Sequence, residues 1–171
     1  SVTIPHKEDI IKLLDEVDSA VDDIGAVNTI VVLDDHNNDG KCTSNVGEKK
    51  LKGYNTDWIG IYKPVKEYLE KTGKISIDSS IDFKKGQEWN RDGSRKYGLV
   101  IGAGGTARAA SYAVKKLGLD LIIYNRTPEK ALNMAEKFDG GCLQNEDLYK
   151  DDRTMNVLRK KLEVIIEKYK N

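Results

Sequence analysis

Gly102, Ala103, Gly104, Gly105, Thr106 and Ala107 form the pattern G-x-G-x-x-A, a spacing suited to cradling a dinucleotide pyrophosphate. Gly102 permits a tight turn out of a strand, Gly104 lets the backbone approach a phosphate, and Ala107 allows close packing of helix on sheet. The N-terminus of the helix that follows offers free N–H groups and partial positive charge to an anion. The pattern alone is weak. Here it follows the apolar stretch 97–101 and precedes a second one at 119–124. At the end of that second stretch an NAD-binding domain usually carries an acidic residue for the ribose 2′-hydroxyl. This chain has Asn125, Arg126 and Thr127 instead. A carboxylate would repel a 2′-phosphate, whereas a guanidinium binds one through paired N–H donors and can lie flat on the adenine. The hydroxyl of Thr127 adds a further donor. The expected cofactor is therefore NADP (as NADPH) rather than NAD; the bland alternative is a solvated surface arginine.

Three short motifs precede this unit: S-V-T-I-P-H-K at 1–7, G-A-V-N-T at 25–29 and G-Y-N-T-D at 53–57. Taken singly they decide nothing. Lys7 is equally a solvated lysine, Asn28 a strand-end asparagine and Asp57 a helix cap.

Together, and in this order ahead of G-A-G-G-T-A and N-R-T, they resemble the shikimate dehydrogenase family over about residues 1–140. The resemblance implies NADPH-dependent reduction of 3-dehydroshikimate to shikimate, a step towards chorismate and the aromatic amino acids. Position by position, Lys7 matches the family's catalytic lysine and Asp57 its paired aspartate. Asn28, Thr3 and Thr56 match residues that hold substrate hydroxyls. Ser1 stands where many members have an asparagine with the same task. The P-H-K and G-Y-N-T-D-W forms are similar to those of plant and fungal multifunctional proteins, which implies fusion to other shikimate-pathway domains. Two alternatives stay open: a quinate dehydrogenase using NAD, and a non-catalytic nucleotide-binding module. A glutamyl-tRNA reductase shares the glycine and N-R-T signatures but not the motifs of the first half.

The chemistry accounts for the pairing. Hydride delivered to a ketone leaves an oxyanion, which needs a proton and nearby positive charge. A lysine ammonium supplies both, and a carboxylate beside it fixes its orientation while it changes protonation state.

These residues need elements to hold them. The sequence predicts a short strand at 2–4, then a helix beginning at Pro5, with Ile10, Ile11, Leu14, Val17 and Val21 on one face and an end near Gly25. A β-branched strand is expected at 27–33, a polar loop from 34 to 50 and a return strand at 51–54. Thr56 and Asp57 mark the start of a helix that ends at Gly73. Residues 74–96 read as a linker or insertion. Strand 97–101, helix 106–117, strand 119–124 and helix 129–138 follow, and a charged helix is expected at 154–169. The fold class is thus α/β: a partial N-terminal substrate-binding domain at 1–73 and a partial Rossmann-type NADP-binding domain at 97–171. Family members carry a strand and a serine-rich loop ahead of the first motif, and a third Rossmann strand and a late glutamine-bearing helix after the last. None is evident here, although 141–143 could begin a strand. The expectation is a piece of a longer enzyme, with little or no turnover by itself.

Composition limits the remaining options. Of 171 residues, 39% are hydrophobic and 33% charged, and 28 basic residues balance 28 acidic ones. No global field points to nucleic acid or an anionic membrane. The apolar runs are strand-length, too short to span a bilayer, and the residues from Ser1 onward do not read as the charged, apolar and cleavage-site pattern of a signal peptide. Cys42 and Cys142 have no metal-ligand spacing and are expected to be reduced thiols. A cytoplasmic or plastid-stromal protein without a metal is the default.

Overall fold

The structure is a computed structural model that describes residues 1–33, 49–72 and 97–143. The loop at 34–48, the linker at 74–96, the helix at 154–169, Gly73 and Cys42 lie outside the described residues. The elements in order are β1 (Glu16–Val17), α1 (Ser19–Ile24), β2 (Thr29–Leu33), β3 (Lys50–Tyr54), α2 (Asp57–Lys71), β4 (Tyr97–Ile101), α3 (Gly105–Lys116), β5 (Asp120–Tyr124), α4 (Pro128–Lys137) and β6 (Gly141–Leu143). They form two small sheets, ordered β1-β3-β2 and β4-β5-β6.

The second sheet is wholly parallel, with Tyr97 opposite Asp120 and Ile101 opposite Tyr124 in β4 and β5. Crossover helices make that arrangement possible. On β5, Leu121 and Ile123 are buried in alternation, as one pleat face requires. They meet Ala131, Met134, Ala135 and Phe138, a stripe at helical spacing along α4 and just past its end. β6 pairs in parallel with β5, Cys142 opposite Ile123. A third strand therefore exists where the sequence offered only a weak candidate; its shortness and the glycine pair at its start, Gly140 just before it and Gly141 within it, hid it.

The first half departs from expectation in two places. Residues 2–4 form no strand. Val2 N–H donates one bond to Asn28 O (2.7 Å), but Pro5 has no N–H to give and His6 N–H turns back to Thr3 O (3.0 Å). The Ile4–Pro5 peptide bond is cis. Nor is there one long helix from Pro5. A short 3-10 turn at Asp9–Leu13 stops at Leu14, whose backbone is extended. Asp15 N–H and Asp18 N–H then bond to Leu51 O and Gly53 O, so this stretch enters the sheet as β1 beside β3. Asp18 caps α1 by accepting from Ala20 N–H (3.2 Å), and Gly25 closes it in the left-handed conformation (φ 70°). Apolar spacing that looked like one helical face belongs to separate elements.

The two halves meet along α3. Ala109 is buried against Ala20, Ile24 and Ala26, and the Trp58 ring of α2 meets Tyr112 edge-on at 5.2 Å. The small residues Gly105 and Ala109 allow this close approach of α3 to the first half. No helix among the described residues is long and apolar enough to cross a membrane.

Candidate functional site

Lys7 and Asp57 are brought together from 50 positions apart in the chain: Lys7 Nζ donates to Asp57 Oδ2 at 2.5 Å. The lysine side chain is only 12% exposed. Asp57 is the first residue of α2, where the helix dipole favours a negative charge. Its second oxygen, Oδ1, accepts from Asn28 Nδ2 at 2.7 Å. The same amide donates to Thr56 Oγ1 (3.0 Å), while Asn28 Oδ1 accepts from Thr56 N–H (3.0 Å) and from Thr29 Oγ1 (2.9 Å). Thr56 sits at the N-cap without capping the helix through its side chain; its hydroxyl is engaged by Asn28. The ammonium, the carboxylate and the amide thus form one continuous network.

The backbone around it is equally tied. Val27 N–H donates to Lys7 O (2.7 Å) and Asn28 N–H to Tyr54 O (3.0 Å). Buried Asn55 donates to Ala26 O (2.8 Å) and accepts from Asp57 N–H (3.0 Å). It links the α1–β2 connection at Ala26 to the start of α2.

The glycine loop lies against this cluster. Gly102 has φ 115°, a conformation that favours glycine, and its N–H donates to Tyr124 O (2.8 Å). A Cβ at Gly105 would stand 3.0 Å from Lys7 Cβ, so this glycine permits the contact of the two halves. A Cβ at Gly104 would meet nothing within 4 Å. Protein packing therefore does not exclude a side chain there, and the space in front of Gly104 is open to a ligand. Thr106 Oγ1 lies 3.3 Å from Lys7 Nζ. Ala103 and Ala107 pack on the core of the second sheet.

A cleft of about 430 Å³ runs from Lys7 over Ala103, Gly104 and Gly105 to Asn125, Arg126 and Thr127. Its far end combines exposed Arg126 with Lys130, and Asn125 Nδ2 shapes that turn by donating to Thr127 O (2.9 Å). Open space at the glycines, the free first-turn N–H groups of α3 and two cations at the far end fit a dinucleotide carrying an additional phosphate.

Ser1 and Thr3 stand apart. Both are exposed and neither joins the Lys7 network; the cleft lining includes neither of them, nor Asn28, Thr56, Asp57, Gly102, Thr106 or Ala107. Conversely, Asn55, Lys130 and Glu8 escaped the sequence, and Arg108 reads there only as the end of the cofactor loop. Lys130, four residues beyond Arg126, could have been found as a second cation on the same turn. Glu8 and Arg108 form an ion pair at 3.0 Å, which no local pattern reveals. Deeper along the joint, Tyr112 is pushed up to about 12 by burial and by the Asp23 carboxylate, which also accepts from its hydroxyl. Burial holds Lys116 below the usual lysine range. Burial and then the neighbouring Arg108 do the same to Lys137.

Comparison with known proteins gives this geometry a context. Residues 1–30 match the family model of the shikimate dehydrogenase substrate binding domain. The shikimate dehydrogenase (NADP(+)) of Aquifex aeolicus is 37% identical over 138 residues, which are 81% of this chain and 38% of that protein. The chloroplastic bifunctional 3-dehydroquinate dehydratase/shikimate dehydrogenase of Arabidopsis thaliana is 39% identical over 148 residues, 86% of this chain and 21% of its own. Among solved structures, shikimate 5-dehydrogenase of Thermus thermophilus in complex with NADP(H) and shikimate is similar, with a TM-score of 0.51 and 32% identity. That similarity covers 85% of this chain and 42% of that one. The chain spans about two fifths of the single-function relative it matches. With both sequence halves, the α/β fold and the order of the motifs in agreement, the chain belongs to the shikimate dehydrogenase family.

Proposed function

We propose that this protein reduces 3-dehydroshikimate to shikimate with NADPH. The observation that carries this reading is the joining of Lys7, Asp57 and Asn28 into one network, whose Lys7 lines a cleft that leads to Arg126. Bound NADPH would supply the hydride. Lys7 donates the proton that the resulting alkoxide needs, and its charge stabilises that oxygen as it forms. Asp57 holds the ammonium in place, and its bond to Asn28 keeps the carboxylate from turning away. In the oxidation direction neutral Lys7 takes the alcohol proton. Asn28 and Thr56 are the proposed hydroxyl-binding groups. Ser1 and Thr3 join them only if substrate draws the N-terminal segment over the cluster.

Gly102–Ala107 and the N-terminus of α3 are assigned to the pyrophosphate, with Asn125, Arg126 and Thr127 around the adenosine 2′-phosphate. The two halves, 1–73 and 97–171, are proposed as substrate and cofactor domains joined by 74–96. The Arabidopsis relative is bifunctional by name, which supports fusion to other shikimate-pathway activities in the gene product. The proposed compartment is the cytoplasm, or the plastid stroma in an organism that has one.

The test is an assay of protein expressed from the full reading frame, with shikimate and quinate, each with NADP and NAD. The expected result is turnover of shikimate with NADP well above the other three combinations. Preference for quinate with NAD would replace this reading with the rival dehydrogenase. NADPH binding without any turnover would leave a nucleotide-binding module.

A further inference from the structure

Lys7 is one of two consecutive residues that reach across to the first turn of α3. Its ammonium meets the Thr106 hydroxyl at 3.3 Å, and the next residue, Glu8, meets Arg108 Nη2 at 3.0 Å through Oε2. The Lys7 backbone is itself held from the other side, by Val27 N–H. Arg108 is well shielded, with its side chain 24% exposed, and its Nε is buried with no hydrogen-bond partner among the described residues. Glu8 is the carboxylate paired with this partly shielded guanidinium. It also opposes the positive charge of Lys137, whose ammonium crowds Gly25 next to Arg108.

We propose that the Glu8–Arg108 ion pair is a positioning latch, fixing the Lys7 loop to the cofactor helix so that the Lys7 ammonium stands at a set height over the glycine loop. This rests on the proposed function, because it assigns Lys7 the proton transfer. A pair with this exposure adds little to global stability. Its effect is geometric: the turn carrying the acid and the helix carrying the phosphate site move as one body. Without it, Lys7 keeps Asp57 but loses its register with the site of hydride transfer, and proton transfer is sensitive to such displacements.

The experiment uses full-length protein and three variants: Glu8→Gln, Arg108→Gln, and the exchange Glu8→Arg with Arg108→Glu. In steady-state assays at saturating NADPH, each single variant is expected to lower kcat by about tenfold with both KM values within about twofold. The exchange is expected to restore most of the lost kcat. Merely destabilising substitutions would instead accumulate in the exchange variant. Wild-type kcat in Glu8→Gln, or an exchange variant as poor as both losses combined, would overturn the latch. Hydrogen exchange gives a readout independent of activity. The Val27 and Ile10 amides, bonded to Lys7 O and His6 O, should exchange faster in both single variants and recover in the exchange. Absence of turnover in the wild type would refute the proposed function, while unchanged protection in the single variants would refute the latch.

Discussion

Two regions flank the cleft, and they are built on opposite plans. Around Lys7, side chains satisfy one another: each oxygen of Asp57 has a donor, and Asn28 bonds through both ends of its amide. Around Arg126, the side chains of Arg126, Thr127 and Lys130 are exposed, and the hydrogen bond the turn makes internally, from Asn125 to Thr127 O, serves its shape. The first region is set before any ligand arrives. The second is a charged surface that a ligand must complete. Preorganisation belongs where a proton moves, since misplacement there costs rate. Recognition of a phosphate needs only accessible cations and free N–H groups, and flexible exposed side chains provide these adequately.

The largest expected effect breaks the preorganised side. If Lys7 is the proton donor, as proposed, Lys7→Ala removes that donor and the charge beside the nascent alkoxide, and turnover should fall by about 10²–10⁴. NADPH affinity, measured by fluorescence titration, should stay nearly unchanged. Asp57→Ala should fall by a similar amount, because the ammonium loses the partner that orients it. Turnover near the wild-type value in either variant would remove both from the chemistry.

Next in size is the other side of the cleft. Arg126→Ala takes away the proposed charge-assisted contact to the 2′-phosphate, of about 1.5–3 kcal/mol for a bond to a charged group. Discrimination of NADPH over NADH should therefore drop by about 10–100-fold, with kcat at saturating cofactor preserved. A fall in kcat instead would mean that the two regions are not separable as argued.

Asn55 tests what holds the preorganised side together. It is 3% exposed and bridges Ala26 O to Asp57 N–H. Asn55→Ala leaves the buried Ala26 O and the part-buried Asp57 N–H without this partner, at a cost of about 1–3 kcal/mol, readable as a lower urea midpoint. An unchanged midpoint would show that other groups or water satisfy them.

The two plans also differ in how much of them a sequence discloses. The glycine loop, the strands on either side and the basic turn at 125–127 are contiguous, and backbone chemistry dictates their residue types: Gly102 needs its positive φ, and Ala107 its small size. The Lys7–Asn28–Asp57 cluster has no such local signature, because partners 50 positions apart meet only through the sheet. It became visible in the sequence through resemblance to a family. The 5–25 stretch misled for a physical reason: its apolar spacing fits a helix, but the N–H groups of Asp15 and Asp18 are drawn into pairing with β3, and tertiary pairing overrides periodicity. Asn55 and the Glu8–Arg108 pair stayed hidden because burial and cross-chain partners are properties of the fold.

The smallest effect concerns the joint through which the two regions communicate. Tyr112, on α3, lies against Trp58 of the first half and donates to Asp23 of α1. Burial, reinforced by that carboxylate, raises it from 10.0 to about 12. The native state therefore holds this proton more tightly than the unfolded chain. The sign follows from linkage: the contribution is fully present below pH 10 and is lost as pH rises from there through about 12. Lys116 and Lys137 are shifted downward by burial and work in the opposite sense in the alkaline range, so wild-type stability alone would blur the effect. The difference between wild type and Tyr112→Phe removes most of that background. Urea midpoints should show wild type ahead at about pH 8 and the gap narrowing steadily from about pH 10 to about pH 11. A gap constant across that range would mean that the Tyr112 proton does not contribute to joining the halves, leaving the aromatic contact with Trp58 and the small-residue packing of Ala109 to hold them.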